Sequence, residues 1–285
     1  MFYVIIALIL LIVLCKVYKV KIKLKSFFRK GFLPVRGNFG VYCYCGKQGT
    51  GKTYSVVEYL LDNREHIEVF CNIADIENIE YFHFTGFEEL IKLKEILDYN
   101  YNSIEDLKSF ILDKGFDSAR CSKLLYLLKD LKDNHKQLIF VYDEIFTELQ
   151  KGSKLDKSVI DFLCQMRKRK IIFLTTAQEW AEIPLTFRRF CRYEIDCKMY
   201  NFLVFGILLK HFRDAENMKW SEEDQEHVAP LVSNTITKTR RWIANSYNTF
   251  LRISSVSPDV PSTATSEETG FEWFEVSMDK RSDTP

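Results

Sequence analysis

Apolar residues along this chain fall into two patterns. One is the short unbroken run. "FGVYCYC" (39–45), "IEVFCNI" (67–73) and "LIFVY" (138–142) are rich in β-branched and aromatic residues and bounded by polar ones. Runs of this kind read as strands covered on both faces. The same reading predicts strands at 81–85, 170–176, 192–199 and 202–209. The other pattern repeats every three or four residues. In "TYSVVEYLLDNR" it puts Val56, Val57, Leu60 and Leu61 on one side of a helix, and residues 87–133 have mainly helical spacing. A further helix is predicted over 234–251. Strands alternating with helices imply an α/β fold, a mainly parallel sheet with helices on both faces. A ligand of such a sheet sits at the carboxyl ends of its strands.

A third stretch fits neither pattern. Residues 1–15, "MFYVIIALILLIVLC", carry no charge. As a helix they span roughly 22 Å against a hydrocarbon core of ~30 Å. Val17, Tyr18 and Val20 close most of the gap, and Lys16 and Lys19 can snorkel to the headgroups. A single transmembrane helix over 1–20 is therefore predicted. A signal peptide needs a basic region before the apolar run and a small-residue cleavage site after it; neither is present. A lipobox at Cys15 is opposed by Leu14, where a small residue is needed. A buried helix is the remaining alternative. The basic arm that follows, 21–37, orients the chain by the positive-inside rule, with everything after residue 20 cytoplasmic. Either the arm lies on an anionic leaflet, each Lys adding ~1 kcal/mol, or it is a solvated charge run.

Charge sharpens this division. The net charge of the 285 residues is +1, but residues 1–36 hold eight Lys/Arg and no acid. The remainder holds 32 basic against 39 acidic residues, so bulk charge makes no case for nucleic acid. None of the eight cysteines forms CxxC, and most lie in apolar runs. They read as reduced core thiols in a cytosolic domain rather than disulfides. The five histidines are scattered, which disfavours a metal site built on Cys and His. From residue 253 the composition turns to Ser, Thr, Pro and acids, the signature of a disordered tail. Within it "GFEWFEV" (270–276) is aromatic enough to be a docking motif for a partner or for the protein itself.

The chemistry is concentrated after the first core strand. "GKQGTGKT" (46–53) fits GxxxxGK[ST] between a predicted strand and a predicted helix. Glycines there let backbone N–H groups converge on phosphate oxygens, and the helix adds its positive dipole end. The predicted nucleotide-binding residues are Gly46, Lys47, Gln48, Gly49, Thr50, Gly51, Lys52, Thr53 and Tyr54. Lys52 supplies charge to the β- and γ-phosphates of ATP, and the Thr53 hydroxyl ligates Mg²⁺. Asp143, at the end of the strand 138–142, is positioned to hold Mg²⁺ through water, and Glu144 to polarise the attacking water. Gln178 follows the strand 170–176 and either senses the γ-phosphate or caps the strand. Arg188 and Arg189 read either as arginine fingers reaching a neighbouring subunit's nucleotide or as surface charges.

In order, "GKQGTGKTYSVVEYL", "EVFCNIADIE", "LIFVYDEIF", "CQMRKRKIIFLTTAQEW" and "SYNTF" resemble the Zot-like (zonula occludens toxin-like) and filamentous-phage gene I assembly ATPases, within the FtsK–HerA group of P-loop proteins. The similarity covers about residues 38–250 and is narrowed by Asn72, Asp143-Glu144, Arg167 and Gln178. Asn248 stands where an acid often follows the tyrosine, and the apolar segment comes before the ATPase domain instead of after it. The resemblance implies a P-loop ATPase domain over 38–252, subunits in a homo-oligomeric ring, and phage DNA and coat or assembly proteins as partners. With the anchor it implies a single-pass protein of the host inner membrane that drives DNA packaging or virion extrusion. A cellular or plasmid DNA-transfer ATPase is the alternative. A non-hydrolysing nucleotide-gated scaffold is another, which an intact Glu144 disfavours.

Overall fold

The computed structural model describes residues 39–149, 154–201, 206–222 and 226–247, with positions 13, 16 and 20–22. Apart from those few positions, the predicted anchor and basic arm lie outside the described residues, as does the whole tail with its 270–276 motif. Among the described residues no helix is long and apolar enough to cross a membrane.

The first core strand, β2 (Gly40–Cys45), runs into the glycine loop and then α1 (Lys52–Asn63). β3 (Ile67–Cys71) and β4 (Tyr81–His83) follow. The long helical stretch resolves into α2 (Phe87–Asp98), α3 (Ile104–Asp113) and α4 (Ser118–Asp133). Local chemistry divides it. Ser103 accepts a hydrogen bond from the Asp106 N–H, and Asp117 one from the Arg120 N–H, capping α3 and α4. Each such cap is worth about 1 kcal/mol. β5 (Gln137–Tyr142), α5 (Lys157–Gln165), β6 (Ile172–Ala177), α6 (Leu185–Arg188), β7 (Cys191–Asn201) and β8 (Gly206–Asp214) continue the chain.

β3, β4, β5, β6, β2 and β7 pair in parallel, as predicted; β8 turns back against β7. With β1 (Val20–Ile22) and β11 (Leu231–Lys238) they form one nine-stranded sheet in the order β1-β11-β8-β7-β2-β6-β5-β3-β4. Successive residues of β5 serve opposite faces. Phe140 and Tyr142 join the cluster under α2 to α5, whereas Ile139 and Val141 join the cluster under α1. This is why the strand reads as an unbroken apolar run. On the first face Phe70 meets Phe140 edge-on with centroids 5.0 Å apart, and Phe140 meets Phe162 at 5.4 Å. Each buried aromatic contributes roughly 1.5–3 kcal/mol through burial.

Three parts differ from the sequence reading. The predicted helix 234–251 is strand β11 followed by the short helix α7 (Arg241–Ala244). "VSNTITK" is β-branched at four of its seven positions, which favours a pleated strand. A small ribbon, β9 (Lys219–Ser221) with β10 (Glu226–Val228), is inserted between β8 and β11. Val20–Ile22, at the predicted junction of anchor and arm, forms strand β1, paired in parallel with β11.

An ion cluster ties α1 to the β8–β11 flank. Glu58 accepts from the Lys210 ammonium at 3.0 Å and from Arg240 at 3.3 Å, while Asp62 takes both Arg240 Nη atoms at 2.7 and 2.6 Å. Glu58 and Lys210 are buried, so removing one partner leaves a charge uncompensated. Six of the seven described cysteines are buried; Cys164 is exposed.

Candidate functional site

β2 lies between β6 and β7, so its end is central to the sheet. At Gly46 the chain leaves the strand with φ 142°, and its N–H donates to the Gln178 carbonyl at 3.1 Å. A Cβ at Gly46 would stand 2.8 Å from the Cys197 carbonyl oxygen. Gly51, at φ 85°, precedes the first turn of α1, and a Cβ there would stand 2.6 Å from Met199 Cε. Both positions favour glycine by their positive φ, and at Gly46 the close backbone carbonyl excludes a side chain as well. The Lys52 ammonium, largely buried, donates to the Lys47 carbonyl at 3.0 Å, and the Thr50 hydroxyl donates to the same oxygen at 2.7 Å. The loop thus folds back over its own lysine.

β5, two strands away, delivers Asp143 to the same end. The Thr53 hydroxyl donates to the Asp143 carboxylate at 3.1 and 3.4 Å. Two further residues fix that acid. The Asp143 N–H donates to Asn72 Oδ1 at 2.6 Å and the Asn72 amide returns a bond to the Asp143 carbonyl at 3.2 Å. The Thr176 hydroxyl donates to Asp143 Oδ1 at 2.7 Å and accepts from the Glu144 N–H at 2.7 Å. Thr176 therefore holds both acids. Sequence reasoning missed it, although a buried Thr175-Thr176 pair inside an apolar strand demands partners for two hydroxyls.

Glu144 has left-handed backbone geometry, φ 56° and ψ 52°. The turn points the chain out of the strand immediately after Asp143, and the residue is half-buried. Gln178 is exposed beyond the end of β6, its carbonyl against Gly46. Tyr54, included among the nucleotide-binding residues, turns its ring into the core. Its hydroxyl accepts from the Arg240 N–H at 2.8 Å, and burial pushes its phenol up to about 12. Only its backbone belongs to the phosphate end. Tyr247, from "SYNTF", is brought close to Asp143: burial first, then the Asp143 charge, raises its phenol. The segment is tied down by the Glu77 N–H donating to the Ser246 carbonyl at 2.7 Å.

Arg188 and Arg189 lie away from this chain's own phosphate loop. They stand just before β7, whose first residue, Cys191, pairs with Val41 at the start of β2. The phosphate loop follows the other end of β2. At about 3.3 Å per residue the length of the strand separates them from it. Arg188 is also buried, 7% exposed, with its guanidinium 5.8 Å from the Trp180 ring. Its guanidinium is therefore turned into the protein rather than presented at the surface. Arg189 is exposed, but at the amino end of the sheet. The reason is the crossover through α6, which carries the chain from the carboxyl end of β6 to the amino end of a parallel β7.

What remains at the carboxyl end is a set of donors for a nucleoside triphosphate and a hard cation. The loop glycines and the start of α1 present N–H groups to phosphate, and Lys52 adds a positive charge. Thr53 and Asp143 offer oxygen ligands within 3.1 Å of each other. That suits Mg²⁺, which keeps waters and phosphate oxygens in its remaining positions. Among the described residues no group of three or more His, Cys, Asp or Glu is placed to hold a metal without such help.

No family model matches this chain, and no curated protein matches it. Among solved structures it is similar to the N-terminal domain of zonular occludens toxin from Neisseria meningitidis, at 14% identity over 73% of this chain and 98% of that one, with a TM-score of 0.39. It is similar to the genome packaging NTPase B204 from Sulfolobus turreted icosahedral virus 2, in complex with ATP-gammaS, at 11% identity over 68% and 98%, TM-score 0.32. A KaiC-like protein from Pyrococcus horikoshii OT3 aligns at 12% identity over 70% and 89%, TM-score 0.34. Scores this low carry no functional argument. The strand–loop–helix geometry at Gly46 to Thr53, beside Asp143, is what identifies a P-loop nucleotide site on an α/β sheet.

Proposed function

We propose that this chain is a membrane-anchored P-loop ATPase that hydrolyses Mg²⁺–ATP to drive phage DNA packaging or virion assembly at the host inner membrane, with the ATPase domain cytoplasmic. One observation carries the enzymatic part: the Thr53 hydroxyl lies 3.1 Å from the Asp143 carboxylate, with Glu144 as the next residue. The loop backbone and Lys52 bind and orient the triphosphate. Bound Mg²⁺ supplies neutralisation of charge on the β- and γ-oxygens. Thr53 and Asp143 would hold the cation, with Thr176 fixing the carboxylate and Asn72 the backbone of Asp143. Glu144 takes the role of polarising a water against the terminal phosphate, and Gln178 stands beside the loop to orient it. The phage setting, the DNA and coat-protein partners and the ring rest on the sequence resemblance. The anchor rests on the apolar run that precedes Val20, the residue at which β1 begins.

The test separates binding from turnover. Lys52→Ala is expected to weaken ATP binding about 10- to 100-fold, the worth of one charge-assisted contact. Glu144→Gln is expected to bind ATP as wild type does while phosphate release slows by about 10² to 10⁴. Wild-type hydrolysis in Glu144→Gln removes that residue from the chemistry. Wild-type binding in Lys52→Ala removes the loop.

A further inference from the structure

The two ends of the sheet are set by strand direction. All its strands except β8 run the same way as β2, so their amino ends lie together, opposite the phosphate loop. β8 runs back and delivers the chain to that amino end at Asp214, where the β9–β10 ribbon is inserted. The base of the ribbon is closed by the Asp214 N–H donating to the Pro230 carbonyl at 2.9 Å.

Three independent features gather at this end. β1 starts at Val20, in register with Asn234 of β11, and runs parallel to it. The sequence before Val20 therefore joins the sheet at its amino end, and that sequence is the apolar run 1–15 with Val17 and Tyr18. Only Lys19 separates Tyr18 from Val20. One extended residue spans at most ~3.6 Å, so there is almost no tether between the apolar run and the strand. The second feature is apolar. Trp220 on the ribbon is 59% exposed, and Leu231 and Val232 at the start of β11 are 38% and 40% exposed. The third is basic. Arg167, Lys168, Arg169 and Lys170 are exposed just before β6, again at its amino end. Arg167 pairs with Glu216 and Arg169 with Asp98, whereas among the described residues Lys168 and Lys170 have no carboxylate partner.

We propose that this amino end is the membrane-facing surface of the protein. An anionic bilayer interface takes Trp220, Leu231 and Val232, with Lys168 and Lys170 against the headgroups. The phosphate loop is thereby turned away from the membrane, open to nucleotide. Indole rings favour the headgroup level, and lysines favour an anionic leaflet. A nucleic acid would satisfy the lysines but offers Leu231 and Val232 no apolar medium. The proposal rests on the anchor reading above and adds an orientation to it.

Two tryptophans at opposite ends of the sheet make the test. Trp242, 36% exposed, lies in α7 beyond the carboxyl end of β11. The full chain is reconstituted into phosphatidylglycerol–phosphatidylcholine vesicles with bromine-labelled acyl chains, which quench indoles in contact with them. Trp220→Phe is expected to lose most of the bromolipid-dependent quenching, and Trp242→Phe to keep it. Trp220 is well exposed, and Trp242→Phe keeps an aromatic ring at the position whose indole lies 5.5 Å from the Arg240 guanidinium. Lys168→Glu/Lys170→Glu is expected to reduce the quenching. Quenching lost in Trp242→Phe and kept in Trp220→Phe overturns the orientation, as does vesicle-bound wild type with no bromolipid quenching at all. Unchanged quenching with lost DNA binding in the double lysine variant overturns the headgroup contact. A chain that does not float with the vesicles overturns the anchor reading itself, and the orientation with it.

Discussion

The two ends of the nine-stranded sheet are built on different principles. At the carboxyl end, short polar groups close on one another. Thr53, Asp143, Asn72 and Thr176 come from four elements and bond at 2.6 to 3.4 Å. The carboxylate accepts from the Thr53 and Thr176 hydroxyls while Asn72 holds the Asp143 backbone, so the acid is already placed for a cation before one arrives. At the amino end the exposed charges are long-stemmed, and their pairs join side chains such as Arg167 and Glu216. Exposed pairs contribute ~0 to 1 kcal/mol and rearrange readily. Rigidity thus accompanies the chemistry, and adaptability accompanies a surface.

The largest break in that contrast is expected from Asp143→Ala. Losing an outer ligand to the cation typically costs about 10- to 100-fold in metal affinity or activity. Initial rates across a Mg²⁺ titration should show a raised Mg²⁺ requirement. A curve superimposable on wild type means that Asp143 does not serve the cation.

A smaller effect is expected from a buried acid at the other end. Glu68, the second residue of β3, is buried and paired with Lys136 at 2.7 Å. Burial first, and then the hydrogen bond with Asp130, pushes its carboxyl up to about 7 from 4.5, against the pull of Lys136. A carboxyl raised in the folded state contributes stability that is complete below its ordinary value and is lost as pH rises through about 7. Denaturation midpoints should fall between pH ~5 and ~7, and Glu68→Gln should flatten that fall. Equal slopes in the two proteins remove Glu68 as the cause.

The smallest effect sharpens the comparison by its absence. Arg189 lies at the amino end, so Arg189→Ala should keep ATP turnover within about twofold, where a true finger is worth about 10³ or more. A loss of that size in a steady-state phosphate-release assay restores the arginine-finger reading and shows that a neighbour brings the two ends together.

The sequence by itself determined the parts that depend on neighbours along the chain. A glycine loop between an apolar run and an amphipathic one suffices to place Gly46 to Thr53, because conformation there is set by local sterics and by the missing Cβ. Asp143 was legible because a run of five apolar residues ends at it. The parallel core was legible because strands covered on both faces carry no polar alternation. Tertiary structure decided the rest. Thr176 and Asn72 acquire their roles only when β6 and β3 are set beside β5, and no spacing along the chain records that order. The stretch 234–251 reads as a helix along the chain, yet its β-branched first half becomes a strand once β8 offers it an edge to pair with. Arg188 and Arg189 follow Gln178 by about ten residues, yet they stand at the opposite end of the sheet. Strand direction separates them: a crossover to a parallel strand returns the chain to where the first strand began. That return is fixed by hydrogen-bonded pairing across the sheet, not by the residues it carries.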